Sequence, residues 1–306
     1  MHCPPMSLRL LGCLVAACVS VHLIGSDARA AESFELKDGD RVLFIGNTLI
    51  ERAGKYGYLE AALSRRWPER RIVFRNLGWA GDNVRARSRD YFDKKGDGYR
   101  RLTGHVKRLK PTVIFLAYGG NEARRGPEKL EWFLTNYRHL LGHLEKTGAR
   151  IVLLSPIYQE TLPPPLPNPT AHNKNLEIYS KAIGKLAADR KHTFVDLFTK
   201  LRSTDKPLTY NGLHLDANGY QQLAKTVLAE LGLGKVSLTG SDALREAIVA
   251  KNQLYFYRWR PQNETYIFGH RRREQGRNAV EMPQFDPLVE KMEKQIAELL
   301  AKKGGA

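Results

Sequence analysis

The chain has 306 residues and carries 49 Lys and Arg against 32 Asp and Glu, a formal net charge of +17. That length is enough for one large domain or one domain with an extension. Its three cysteines, Cys3, Cys13 and Cys18, all lie near the start, which excludes a disulfide framework, a thiolate metal site or a cysteine nucleophile in the remainder.

The first element in chain order is an apolar run, "LLGCLVAACVSVHLIG" over 10–25, which follows Arg9 and ends in "SDARA". Ala28-Arg29-Ala30 fits a small-x-small cleavage site, so residues 1–30 read as a secretory signal peptide cut after Ala30, with Met6 leaving a compact charged start. An uncleaved anchor is the competing reading. "VAAC" at 15–18 resembles a lipoprotein box, but the apolar run continues past Cys18, which argues against lipid attachment. The expected location is secreted or periplasmic, with no transmembrane segment after cleavage. Removing the leader takes away Arg9, Arg29 and Asp27, so the mature chain stays strongly basic. Such a surface suits an anionic cell-envelope polymer; export makes nucleic acid the least expected partner, and a merely solvated Lys- and Arg-rich surface remains the bland alternative.

Five short apolar runs follow: 41–46, 71–78, 112–120, 150–156 and 193–198. Helix-length segments lie near 55–66, 127–147, 172–190 and 217–231. Strands buried on both faces and joined by helical crossovers give an α/β architecture with a mostly parallel sheet, in which ligands bind at the carboxyl ends of the strands. The residues just past each run therefore carry the function. They are Gly46-Asn47-Thr48, "NLGWAGDN" (76–83), "GGNE" (119–122), the proline-rich "SPIYQETLPPPLPNP" (155–169) and "YNGLHLDANGY" (210–220), where Asp216 can cap a helix. The main domain is expected over 31–236. From 237 to 306 the chain becomes a basic, aromatic, helical extension, with apolar faces at Leu244, Ile248 and Leu254-Tyr255 and at Leu288, Met292, Ile296 and Leu299. Packing on the main domain is the expectation, with a small interaction module as the alternative.

"FIGNT", "NLGWAGD", "GGNE" and "NGLHL", in that order, resemble the four sequence blocks of the SGNH, or GDSL, hydrolase superfamily. The resemblance spans roughly 41–231 and implies a flavodoxin-like three-layer α/β/α sandwich and a secreted esterase or acylhydrolase without a cofactor. It puts the nucleophile at Thr48, the base at His214, and an oxyanion hole at the Thr48 N–H, Gly81 N–H and Asn121 side chain. Two departures stand out. Threonine replaces the family's serine at 48, where its β-methyl restricts rotation, and Asn211 replaces the triad aspartate, so that no charge stabilises the imidazolium. Asn47 likewise replaces an aspartate. Asp82, Glu51, Glu122 and Asp216 could substitute, but each has an ordinary structural use. His105, His139, His143, His172 and His192 read as solvated, and no spacing resembles a metal site.

Trp79, in the oxyanion loop, could stack on a sugar, and Arg85, with Arg87 and Arg89, could meet a carboxylated or phosphorylated substrate. These residues favour an O-acetylated carbohydrate, although Trp79 as a packing residue is equally consistent. Two functions stay open: an esterase running on Thr48 and His214, and a catalytically silent binding protein for an anionic glycan.

Overall fold

A computed structural model describes residues 1–2, 34–90, 96–203, 205–238, 242–274, 276 and 278–302. The expected leader and its cleavage site, apart from Met1 and His2, lie outside the described residues.

Five strands form one wholly parallel sheet: β1 (Arg41–Gly46), β2 (Val73–Asn76), β3 (Val113–Ala117), β4 (Arg150–Leu154) and β5 (Thr193–Val195), in the order β2-β1-β3-β4-β5. Alternation assigns the two faces. Val42, Phe44, Phe115, Val152 and Leu154 point into one apolar cluster; Leu43, Ile45, Ile114, Leu116, Ile151 and Leu153 point into the other. Helices α1 (Thr48–Tyr56), α2 (Tyr58–Arg66) and α7 (Ala217–Glu230) line the first cluster, and α3 (Asp97–Leu109), α4 (Leu130–Glu145) and α5 (Thr170–Asp189) the second. The result is the three-layer α/β/α sandwich expected from the sequence. Chain direction across the sheet reverses at β1, which places the crevice at the carboxyl ends of β1 and β3.

Three local differences have physical causes. The helix expected over 55–66 is two helices broken at Gly57, whose φ of 72° is left-handed and whose absent Cβ leaves room for Val249. The apolar run at 193–198 is strand only to Val195, because the Asp196 side chain accepts from the Thr199 N–H at 3.0 Å and starts the short α6 (Leu197–Lys200). Helix α3 was not anticipated, since its basic exterior masks a face reduced to Leu102 and Val106.

The extension forms α8 (Asp242–Trp259), α9 (Glu264–Ile267) and α10 (Phe285–Ala301) and belongs to the same compact unit as the sheet, Ser33–Ala306. Helix α8 lies along β2, the sheet edge, and serves both layers: Leu244 and Ile248 enter the first cluster, Tyr255 and Trp259 the second. Its Lys251 is fully buried, pairs with Glu60 of α2, and donates to the Phe74 carbonyl of β2 at 3.3 Å. An otherwise open strand edge is thereby covered. Helix α10 packs on α8 through Val289 and Leu300, with Met292, Ile296 and Leu299 partly covered, while Leu288 is 46% exposed. At its start the buried stripe runs through Val289, one position away from the expected Leu288.

Candidate active site

Strand β1 ends at Gly46, where a Cβ would lie 2.6 Å from the Ala117 carbonyl oxygen of β3, so only glycine allows this approach. Asn47 then caps α1, its side-chain oxygen accepting from the Leu49 N–H at 3.1 Å. Thr48 is therefore the first residue of a helix, not merely a turn residue, and its backbone N–H is among those that the helix leaves without an internal partner. The Thr48 hydroxyl oxygen accepts from the Gly81 N–H at 3.0 Å.

Gly81 sits at φ 72° in a loop that buried charges hold in place. Glu51 accepts from the Ala80 N–H at 2.8 Å. Asp82 is fully buried; its carboxylate accepts from Arg89 Nε at 2.7 Å, the Tyr118 hydroxyl at 3.0 Å and the Ser88 N–H at 3.3 Å. The Asp82 carbonyl accepts from Asn121 Nδ2 at 2.7 Å, which leaves the second amide hydrogen of Asn121 uncommitted. Glu122, pushed up to about 7 by burial, accepts from the Val84 and Gly119 N–H groups at 2.8 and 2.9 Å. Asp82, Glu122 and Glu51 thus tie the loops after β2 and β3 to each other and to α1, and Asp216 caps α7 through the Gly219 N–H at 2.8 Å. None of the four stands in for a triad acid.

His214 comes from the segment between β5 and α7, closed by a Thr209–Leu215 bridge and stitched to the proline-rich loop by Glu160, which accepts from the Leu208 and Thr209 N–H groups at 2.9 Å. Asn211 shapes this segment rather than reaching the ring: its side-chain oxygen accepts from the His214 N–H at 2.8 Å and the Leu213 N–H at 3.2 Å. Among the described residues no hydrogen bond reaches a ring nitrogen of His214, from Thr48 or from any carboxylate. Burial lowers its pKa from the ordinary imidazole value, and the guanidiniums of Arg52 and Arg124 lower it further. At neutral pH the ring is a free base.

Thr48, Asn121 and His214 line one cleft together with Asn47, Gly120, Pro156, Gln159 and Tyr220; its cavity measures about 70 Å³. Gly81 reaches it through the Thr48 hydroxyl. The structure does not bring Trp79 or Arg85 there. Trp79 is buried edge-on against Trp259, 5.8 Å between ring centroids, with the Arg260 guanidinium 3.7 Å from its ring centroid, so it packs beneath the extension and does not line the cleft. Arg85 is exposed on the loop beyond Asn83, away from the cleft lining. Arg87 pairs with Asp90, and Arg89 is buried on Asp82. His105 is also not solvated: burial and surrounding arginines push it down to about 3.

Sequence reasoning missed Arg52 and Tyr210. Arg52 lies one helical turn after Thr48, donates to the Tyr210 hydroxyl and sits 5.7 Å from that ring's centroid; the Tyr210 ring lies 5.9 Å from His214. Starting α1 at Thr48 would have put Arg52 on the nucleophile's face.

A hydroxyl at a helix start after β1, amide groups after the two strands that flank it and an imidazole ahead of α7 form a hydrolase-type crevice on a parallel α/β sheet. Residues 45–222 match the GDSL-like lipase/acylhydrolase family, and the chain belongs to that family of esterases and acylhydrolases. The match ends before α8. A catalytic mutant of an acetylxylan esterase from Geobacillus stearothermophilus superposes with a TM-score of 0.53 at 20% identity, covering 67% of this chain and 100% of the other. An α/β hydrolase from the metagenome of Lake Arreo, Spain, gives 0.52 at 21% identity over 65% and 99%. A gut microbial diltiazem-metabolizing enzyme gives 0.52 at 19% identity, covering 65% of this chain and 48% of that enzyme. These likenesses concern the fold. No curated protein matches the chain significantly.

Proposed function

We propose that the chain is an exported esterase that removes a short acyl group, such as acetyl, from a carbohydrate ester by acyl transfer through Thr48. The carrying observation is the Thr48 hydroxyl, held at 3.0 Å from the Gly81 N–H in one cleft with Asn121 and His214. In the reaction Thr48 Oγ1 attacks the ester carbonyl and His214, unprotonated at neutral pH, takes the hydroxyl proton. The Gly81 N–H, the Thr48 N–H and the second Asn121 hydrogen then face the developing oxyanion. The alcohol leaves with the proton returned by His214, and water hydrolyses the acyl-threonine by the same base. The small cleft suits a short acyl group, and the acetylxylan esterase on a similar fold points to an acetylated saccharide. The leader supports export; N-terminal sequencing of exported protein should begin at Ala31-Glu32-Ser33.

A silent binding protein for an anionic glycan or cell-envelope polymer is the second reading. It is favoured by a specific observation: among the described residues, no carboxylate and no Thr48 hydroxyl is hydrogen-bonded to the His214 ring. Initial rates on p-nitrophenyl acetate and acetylated xylo-oligosaccharides separate the two. The esterase reading expects turnover that disappears in Thr48→Ala and in His214→Ala. Turnover surviving Thr48→Ala removes the nucleophile assignment, and no turnover with glycan binding intact leaves the binder.

A further inference from the structure

A second cavity, of about 540 Å³, lies between α3 and the α8–α10 extension and includes Trp79 and Arg89 of the loop after β2 in its wall. Its wall holds Arg89, Arg100, Arg101, Arg108 and Arg258 against only two carboxylates, Glu264 and Asp286. Most of these cations are paired: Arg89 with Asp82, Arg100 with Asp97, Arg101 with Glu264 and Arg258 with Asp286. Arg108 meets no carboxylate among the described residues; its guanidinium donates to His105 Nδ1 at 2.9 Å, and that imidazole is kept neutral and so able to accept.

Two further donors have no acceptor. Arg89 Nη1 and the Trp259 indole N–H are buried without a hydrogen-bond partner, although Arg89 is 1% and Trp259 9% exposed and both line the cavity. Both N–H groups lie beneath the cavity surface, and among the described residues the wall's exposed cation without a carboxylate is Arg108. The same cavity has an apolar side at Tyr255 and at Phe268, which is 46% exposed.

We propose that this cavity is a binding site, separate from the catalytic cleft, for an anionic saccharide. The oxyanion sits on Arg108, among the other arginines of the wall, and the apolar face of the sugar ring lies on Phe268. The site gives the basic extension a ligand of defined chemistry. It does not depend on whether the cleft turns over esters.

Calorimetric titration of the mature chain tests it, with trigalacturonate as the anionic probe, xylotriose as the neutral one and inorganic sulfate as the bare oxyanion. Trigalacturonate should bind, sulfate should compete weakly, and xylotriose should not bind at the same concentration. Arg108→Gln and Phe268→Ala, both at exposed positions, should each weaken trigalacturonate at least about fivefold with melting unchanged. Thr48→Ala and Arg52→Gln should leave it as in the wild type. Three results overturn the proposal: no trigalacturonate binding at millimolar concentration, xylotriose or sulfate binding as tightly, or affinity that ignores Arg108→Gln and falls with Arg52→Gln, which would put the anion in the catalytic cleft.

Discussion

The catalytic cleft and the seam under α8 use arginine in opposite ways. At the cleft, the structural charges sit behind Thr48 and His214: Asp82, Glu122 and Arg89 are buried and lock the loops after β2 and β3, while among the described residues no hydrogen bond joins Thr48 to His214. At the seam, the arginines form the wall itself, and Arg108 meets no carboxylate there among the described residues. Frameworks of the first kind fix geometry before a substrate arrives; an excess of positive charge on a cavity wall favours an anion. Arg89 belongs to both regions, since its Nε holds Asp82, its Nη2 donates to the Leu77 carbonyl at 2.8 Å, and its Nη1 is spare.

Removing that shared residue should break the contrast. Arg89→Ala strands the buried Asp82 carboxylate, and loss of one member of a buried pair costs about 3–5 kcal/mol. Denaturant unfolding should register that loss, and both esterase rate and saccharide affinity should fall together. A destabilisation below about 1 kcal/mol would mean that the loops are held by other contacts.

Ile248→Ala should separate the regions instead. It opens a cavity where α8 meets the first cluster, at a cost of roughly 2–5 kcal/mol, without touching the cleft. Melting temperature should drop while kcat/KM on p-nitrophenyl acetate, measured well below melting, stays within about twofold. If the extension were an independent module, the melting of the sheet domain would not move.

At the cleft, Thr48→Ser with Asn211→Asp should raise kcat/KM by about 10-fold to 100-fold, given that losing the acid from a serine triad costs about 10⁴. The Asp retains an oxygen for the Leu213 and His214 N–H groups and replaces the amide nitrogen with a second oxygen. The pH profile sharpens the test. In the wild type the required free base persists below the ordinary imidazole range, because burial and the Arg52 and Arg124 charges disfavour protonation, so the acidic limb lies low. A carboxylate beside the ring favours protonation, so the limb should move to higher pH in the double variant. An unmoved limb would mean that an aspartate at 211 stays on its own loop, as Asn211 does, and does not reach the ring.

The smallest effect concerns His105. Its folded pKa of about 3 lies below the unfolded value of 6.5, so below that value the unfolded chain takes up a proton that the native chain refuses. Stability from this group is complete above pH 6.5 and is lost as pH falls toward 3. Between about pH 7 and pH 5 the wild-type melting temperature should therefore fall by roughly 2–4 °C more than that of His105→Gln. Equal slopes would mean that the ring is solvated after all.

The sheet, its parallel sense and the strand-end positions of Thr48, Gly81, Asn121 and His214 were legible in the sequence, because buried strands and their glycine-rich ends are local patterns. The start of α1 at Thr48 was legible in principle from Asn47 as a cap, and it would have brought Arg52 into view. Trp79 and Arg89 were not. In the sequence they follow a strand as exposed loop residues do, and only the arrival of Trp259 and Arg260, some 170 residues later, buries the one and stacks on it.

The sequence by itself determined the fold family and the chemical identity of the four cleft residues, since each depends on its immediate neighbours and on one strand ending. Whether those residues are connected was decided by tertiary structure. Asn211 spends its oxygen on its own loop, Thr48 turns toward Gly81, and among the described residues no carboxylate hydrogen-bonds the His214 ring, all consequences of how loops from distant positions meet. The second cavity likewise exists only because α8 closes the β2 edge and brings Trp259 and Arg258 against α3. A wall assembled from segments some 150 residues apart leaves no pattern along the chain, because what unites its residues is a shared volume and not a shared period.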